Sequence, residues 1–457
     1  MNGDNKMKEE RGNFSSKLGF ILAAAGSAVG LGNLWRFPYL AAQYGGGIFL
    51  FVYLILVLTF GFSMLAMEVA IGRKTKVSGI KAYTMLHKKF GFLGYIAALI
   101  PMIILPYYSV IGGWVIKYML VFFTGEGKAA AGADYFGNFV GGTWSPLIMF
   151  AIFLIVTTVI VLGGVQKGVE RASTFLMPVL VVITVGICVY ICTIPNAWEG
   201  IKYYLLPDFS KFSFKTICAA MGQLFYSMSI AMGIMVSYGS YVSDETDLGK
   251  SVNQIEVFDT AIAVLSGFMI VPAVYIFSGE AGLKTGGAGL MFKTLPMVFD
   301  SMPAGQLIGG LFFVLVLFAA LTSSISIMEA VASNIIDKTG FSRTKAVLIV
   351  FAVSIVLGIP SSMGHGPWAH ITILGMDFLT FFDYISNSVM MPIVAICTCI
   401  LIGWVVGTKV LEDEITKNGE AFPRRKIFQM MVKYIAPVCL IIILVFYSLV
   451  QFGFITY

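Results

Sequence analysis

The sequence predicts an all-α polytopic membrane protein of eleven spans. Three observations carry that prediction: 58% hydrophobic residues, only 12% charged residues, and apolar runs long enough to cross a bilayer along most of the 457-residue chain. A soluble chain carries about 25% charged residues, so half that amount cannot cover a water-exposed surface of this size. Disorder requires low hydrophobicity and high net charge, and is excluded as well. A span needs about 20 mostly apolar residues. Backbone groups in lipid must be satisfied within the span, which makes helices the expected form.

The apolar runs fall near 18–41, 47–71, 92–123, 146–163, 174–194, 214–241, 255–278, 306–335, 345–359, 379–407 and 431–452. Ala23-Ala24-Ala25-Gly26 could pass for a signal cleavage site, but the run continues into patterned polar sequence. An odd number of spans puts the termini on opposite sides. With the N-terminus cytoplasmic, 22 basic residues fall on inner loops and 6 on outer ones, with Arg36 and Lys117 inside spans. That asymmetry orients the chain, N-terminus inside and C-terminus outside. It also explains the net charge of +6 without nucleic acid as a partner. The partner implied by every span is the lipid bilayer. The stretch from Gly279 to Gly305 is the longest outer insertion, and reads equally as a lid folded back over an opening or as a plain connector.

Polar groups then mark particular spans. The first reads Gly26-Ser27-Ala28-Val29-Gly30-Leu31-Gly32-Asn33-Leu34-Trp35-Arg36-Phe37-Pro38. Each glycine weakens a helix by about 1 kcal/mol relative to alanine. A close-packed glycine face would explain the glycines, but not Asn33 and Arg36 at membrane depth. The sixth span is interrupted alike, from Gln223 through Tyr226, Ser227, Ser229 and Met232 to Gly233. Spans one and six head two successive five-span halves, the signature of an inverted-repeat transporter with discontinuous helices. The eighth span carries Thr322, Ser323, Ser324 and Ser326 after Ala319. Single hydroxyls often bond back to their own helix. Clustered beside two broken helices, they read as hard oxygen ligands for an alkali cation. Asp259 in the seventh span has no basic residue three or four positions away, and an intramembrane carboxylate is a functional candidate by default. Glu68 in the second span reads equally as functional or as a structural hydrogen-bonding group.

Six cysteines (Cys188, Cys192, Cys218, Cys397, Cys399, Cys439) lie in apolar stretches without a metal-binding pattern, and three histidines are too few for most metal or acid–base sites. No HExxH or paired-aspartate motif supports an intramembrane enzyme. A channel or receptor on the same scaffold would call for repeated filter elements or larger loops.

These motifs resemble the neurotransmitter:sodium symporters. The 26–38 run matches the family's first-helix signature, and Gly45-Gly46-Gly47, Pro106-Tyr107-Tyr108, Gln223 through Gly233, Thr294-Leu295-Pro296 and Leu321-Thr322-Ser323-Ser324 match further on. The resemblance implies a LeuT-like five-plus-five inverted repeat with discontinuous helices one and six. The halves would be about 18–194 and about 214–407, with an eleventh helix at about 431–452, all in one transporter domain spanning 1–457. It resembles bacterial members lacking a twelfth helix, in the cytoplasmic membrane.

The resemblance implies two Na⁺ sites and no organic cofactor. The first would use the Ala28 carbonyl, Asn33, Ser227, Asp259 and the substrate carboxylate. The second would use the Gly26, Val29 and Ala319 carbonyls and the Thr322 and Ser323 hydroxyls. An amino acid substrate would place its carboxylate at the Leu31 and Gly32 amides and the Tyr108 hydroxyl. Its ammonium would meet Ala28, Tyr226, Ser227 and Ser229. Its side chain would lie among Ile104, Tyr108, Tyr226, Ser229, Met232, Ser323 and Ile327. Met232 is adaptable, which favours aromatic substrates such as tyrosine or tryptophan. Arg36 and Asp383 would form an outer latch above Tyr108 and Tyr226. Arg11 and Asp337 would form an inner latch, with Ser240 and Tyr241 nearby. Phe14 stands where many members carry Trp. Asp259 and Ala263 stand where chloride-dependent relatives have Asn and Ser, so Asp259 is expected to supply the charge that chloride supplies there. A second copy of the chain, as a homodimer, is the one macromolecular partner left open.

Overall fold

A computed structural model describes residues 13–283 and 288–454. Nine single helices are long and apolar enough to cross a membrane: Gly47–Thr75, Lys88–Phe123, Trp144–Leu162, Val165–Cys192, Leu248–Phe277, Gly305–Thr339, Arg343–Met363, Phe378–Val406 and Arg425–Gln451. The pair Lys17–Ala28 and Gly32–Gln43, bent by 49°, adds a tenth span. The two short helices Phe214–Ser227 and Ile234–Ser240 add the sixth in chain order, giving eleven among the described residues. Inner and outer below refer to the sides defined by the basic-residue asymmetry.

Several spans start earlier on the inner side than the apolar runs predict. The fifth begins at Val165 and the seventh at Leu248, not near 174 and 255. Their inner turns carry charges, which hydropathy excludes, yet the turns are helical, and Glu170 and Glu256 there accept hydrogen bonds. Glu170 accepts from the Ser15 amide (2.8 Å), the Ser15 hydroxyl (2.7 Å) and the Ser16 hydroxyl (3.0 Å). Glu256 accepts from Arg424 at 3.0 Å. Arg73, fully buried at the end of the second span, holds Glu414 at 2.8 Å.

The first break lies where Val29 turns extended (φ −73°, ψ 94°) and one π-type turn, Gly32–Arg36, restarts the helix. Gly30 is required there. A Cβ at that position would lie 2.5 Å from the Ser323 hydroxyl and 3.1 Å from that of Tyr108. The sixth-span break has a different cause. Ser229, Ala231 and Gly233 all take left-handed backbone (φ 53°, 64° and 69°). That conformation costs about 1–3 kcal/mol for a non-glycine residue, and persists only where the surroundings enforce it. The enforcing bonds are the Ala231 amide to Glu68 (2.6 Å) and the Ser229 hydroxyl to the Ser27 carbonyl (3.1 Å). Glu68 thus reaches the broken sixth span through one carboxylate oxygen.

The outer stretch from Ala288 to Ser301 folds back onto the bundle. Leu290, Phe292 and Leu295 are buried. Phe292 packs on Trp114, Tyr118 and Phe136 with ring centroids 5.9, 5.1 and 5.2 Å away. This described part of the insertion packs on the third span and on Phe136.

Candidate functional site

The two breaks face each other at the centre of the bundle, with the third and eighth spans on either side. There the eleven residues assigned above to the substrate line one compact cavity of about 30 Å³, together with Ser27 and Gly30. Polar atoms line its first-span side. The Leu31 amide, at the start of the outer half-helix, donates to the Tyr108 hydroxyl at 3.4 Å. Ser229 and Ser27 bond across the breaks, and Ser326 donates to Ser27 at 2.7 Å. Ile104, Met232 and Ile327 supply the apolar wall.

Two oxygen clusters flank this cavity. In one, Asp259 Oδ1 accepts from Asn33 Nδ2 at 2.7 Å and from the Ser227 hydroxyl at 2.8 Å. Asp259 is fully buried, and its Oδ2 has no hydrogen-bond partner among the described residues. A buried carboxylate oxygen in that state is costly unless a proton or cation meets it. Asn33 also accepts from the Gly30 amide at 3.2 Å, tying the cluster to the first break. Gln223 donates to the Gly32 carbonyl at 2.8 Å and fixes the second helix half from the other side. In the other cluster, Ser323 Oγ lies 3.4 Å from the Gly26 carbonyl and 3.5 Å from the Val29 carbonyl. Thr322 Oγ1 lies 3.0 Å from the Ala319 carbonyl. Its donors are neutral carbonyl and hydroxyl oxygens, the set a hard monovalent cation prefers. The structure thus brings together the nine protein residues of the two expected sodium sites around the compact cavity, which Ala28, Ser227 and Ser323 also line.

Above the compact cavity lies a second, larger one of about 600 Å³. Leu31 and Tyr226 belong to the walls of both and form the partition. Arg36 and Asp383 line the larger cavity. Arg36 donates to Tyr447 at 3.0 Å and lies 5.3 Å from the Tyr226 ring centroid. Asp383 accepts from Tyr107 at 3.2 Å and from Asn387 at 2.6 Å.

On the inner side, the described residues form a cluster of aromatic and polar contacts. Phe14 stacks edge-on against Tyr238 and Tyr241, 5.5 and 6.0 Å away. Tyr241 donates to Glu329 at 2.8 Å, and Glu329 pairs with Arg343. Asp337 accepts from the Ser78 amide (2.7 Å) and hydroxyl (2.5 Å). Ser240 bonds the Ser237 carbonyl at 2.5 Å. Arg11, the expected partner of Asp337, lies outside the described residues. The wide cavity thus lies on the outer side of the compact one, with Leu31 and Tyr226 between them.

Sequence reasoning missed Ser27, Tyr447 and Glu329. Ser27 sits inside the recognised first-span run and was readable there as a hydroxyl beside a break. Tyr447 and Glu329 carry no local spacing signal.

Comparison with known proteins agrees with this geometry. The chain matches the Sodium:neurotransmitter symporter family over residues 11–131 and 139–457. An uncharacterized sodium-dependent transporter of Haemophilus influenzae is 32% identical over 96% of this chain and 98% of its own length. One of Bacillus subtilis is 31% identical over 94% of this chain and 96% of its own. Among solved structures, MhsT in complex with L-phenylalanine superposes with TM-score 0.85 at 34% identity, covering 95% of this chain and 99% of that one.

Proposed function

The chain belongs to the sodium:neurotransmitter symporter family, and from that membership we propose that it imports a hydrophobic or aromatic L-amino acid with Na⁺, independently of chloride. It is a multi-pass membrane transporter and not an enzyme. Under this proposal it resides in the bacterial cytoplasmic membrane, N-terminus inside, as one domain of two inverted five-helix halves and a final helix. The observation that carries the reading is the convergence of both broken helices and Ser323 of the eighth span on one cavity, with Asp259 bonded to Ser227 in its wall.

In this reading the substrate carboxylate meets the Leu31 and Gly32 amides, where the half-helix dipole favours an anion, with the Tyr108 hydroxyl as a further donor. Asn33, Ser227, Asp259 and the Ala28 carbonyl hold one Na⁺. Gly26, Val29, Ala319, Thr322 and Ser323 hold the other. Each site joins a broken helix to a neighbour, so each ion favours the arrangement in which those elements meet. Na⁺ shifts that equilibrium only by its differential affinity for the two arrangements. Arg36 and Asp383 close the outer side above Tyr108 and Tyr226. Asp337, Ser240 and Tyr241 belong to the inner closure, with Arg11 as the proposed partner of Asp337.

Aromatic selectivity rests on Met232, an unbranched side chain that yields to a large ring. Met232→Phe is expected to weaken competition by tryptophan about tenfold while leaving competition by leucine within about twofold, because overpacking costs about 1–3 kcal/mol. Competition of labelled L-phenylalanine uptake by all twenty amino acids, on both variants, measures this. Equal competition profiles would remove Met232 from the pocket. Chloride independence predicts uptake unchanged when gluconate replaces chloride, and collapse of uptake would contradict it. The MhsT complex, which holds L-phenylalanine, favours an amino acid over other small solutes.

A further inference from the structure

The eleventh span takes no part in the assignments above, yet it reaches the outer cavity through Ile443, Tyr447, Val450 and Gln451. We propose that Tyr447 is a positioning residue of the outer gate, acting through Arg36. This rests on the reading of Arg36 as a gate residue. The guanidinium is held from two sides. Its Nη2 donates to the Tyr447 hydroxyl at 3.0 Å. Its centre lies 5.4 Å from the Tyr447 ring centroid and 5.3 Å from that of Tyr226, the lid ring. A planar guanidinium stacks on aromatic faces and orders its fork of donors there.

Tyr447 is itself fixed. It is buried, and on the sixth span it faces Gly222, where any Cβ would collide with its ring and hydroxyl. The next residue, Ser448, bonds the hydroxyl of Tyr384, the residue after Asp383. One turn of the last helix thus braces both sides of the latch, Arg36 directly and the Asp383 turn through Tyr384. Without the hydroxyl, the long Arg36 side chain regains rotamer freedom that gate closure must then remove. Loss of a hydrogen bond to a charged group predicts about a tenfold loss in closure-dependent affinity.

The test is a double-mutant cycle on the full chain. It reads sodium-dependent binding of tritiated L-phenylalanine, and alkylation of a Leu379→Cys reporter in the outer cavity on a Cys192→Ser background. Tyr447→Phe is expected to weaken binding about tenfold and to speed alkylation in sodium plus phenylalanine, leaving the sodium-free alkylation rate unchanged. Gly222→Ala, which displaces the ring without altering Tyr447, is expected to shift both readouts in the same direction. In an Arg36→Gln background, Tyr447→Phe is expected to add less than about twofold, because its partner is gone. Parent-like behaviour of Tyr447→Phe beside an impaired Arg36→Gln overturns the proposal alone, as does an undiminished tenfold effect in the Arg36→Gln background. A silent Arg36→Gln overturns the gate reading instead.

Discussion

Asp259→Asn is expected to raise the sodium concentration for half-maximal uptake by at least about 100-fold, with little change in thermal stability. The substitution keeps a carbonyl oxygen where Oδ1 now accepts from Asn33 and Ser227. What it removes is the charge on a fully buried carboxylate whose Oδ2 has no hydrogen-bond partner among the described residues. Taking one partner out of a buried charge pair costs about 3–5 kcal/mol, and 1.4 kcal/mol is about tenfold. The sodium dependence of labelled amino acid uptake in proteoliposomes measures it. An unchanged sodium response in a normally folded Asp259→Asn protein would remove the carboxylate from the cation site.

Thr322→Val combined with Ser323→Ala is expected to weaken sodium activation by a further large factor, about 100-fold. Both hydroxyls face carbonyls of the first break or of their own helix. A hydroxyl bonded to a charged group is worth about 1.5–3 kcal/mol, and two are lost together. The change tests ligation more than folding. Valine preserves the shape of threonine, and the carbonyls of Phe318 and Ala319 remain within a continuous helix. Thr322→Ser with native Ser323 retains both oxygens and is expected to retain near-parental sodium activation. Loss of activation there as well would point to packing around the threonine methyl, which touches the Cβ position of Gly26.

The fold and the centre of the site are legible in the sequence for one physical reason. Polar atoms are expensive in apolar spans, so Asn33, Asp259 and the Thr322–Ser326 hydroxyls stand out against their surroundings. The eleven spans follow from the same contrast. What is not legible depends on tertiary placement. Nothing near Tyr447 says that its ring meets Arg36, over 400 residues earlier in the chain. Glu170 reads as part of a charged loop. In three dimensions it closes on Ser15 and Ser16, so the fifth span starts nine residues before its apolar run. The sixth-span break shows Gly233 in sequence, but Ala231 is held left-handed only because Glu68, from the second span, captures its amide.

Coupling is the central claim, and one measurement addresses it directly. Purified full-length protein is reconstituted into liposomes and supplied with labelled L-phenylalanine under an inward sodium gradient, in chloride-free buffer. The account predicts accumulation inside above the external concentration, and collapse of that accumulation when the sodium gradient is dissipated by an ionophore. Saturable sodium-dependent binding without accumulation, or accumulation indifferent to the gradient, would contradict it.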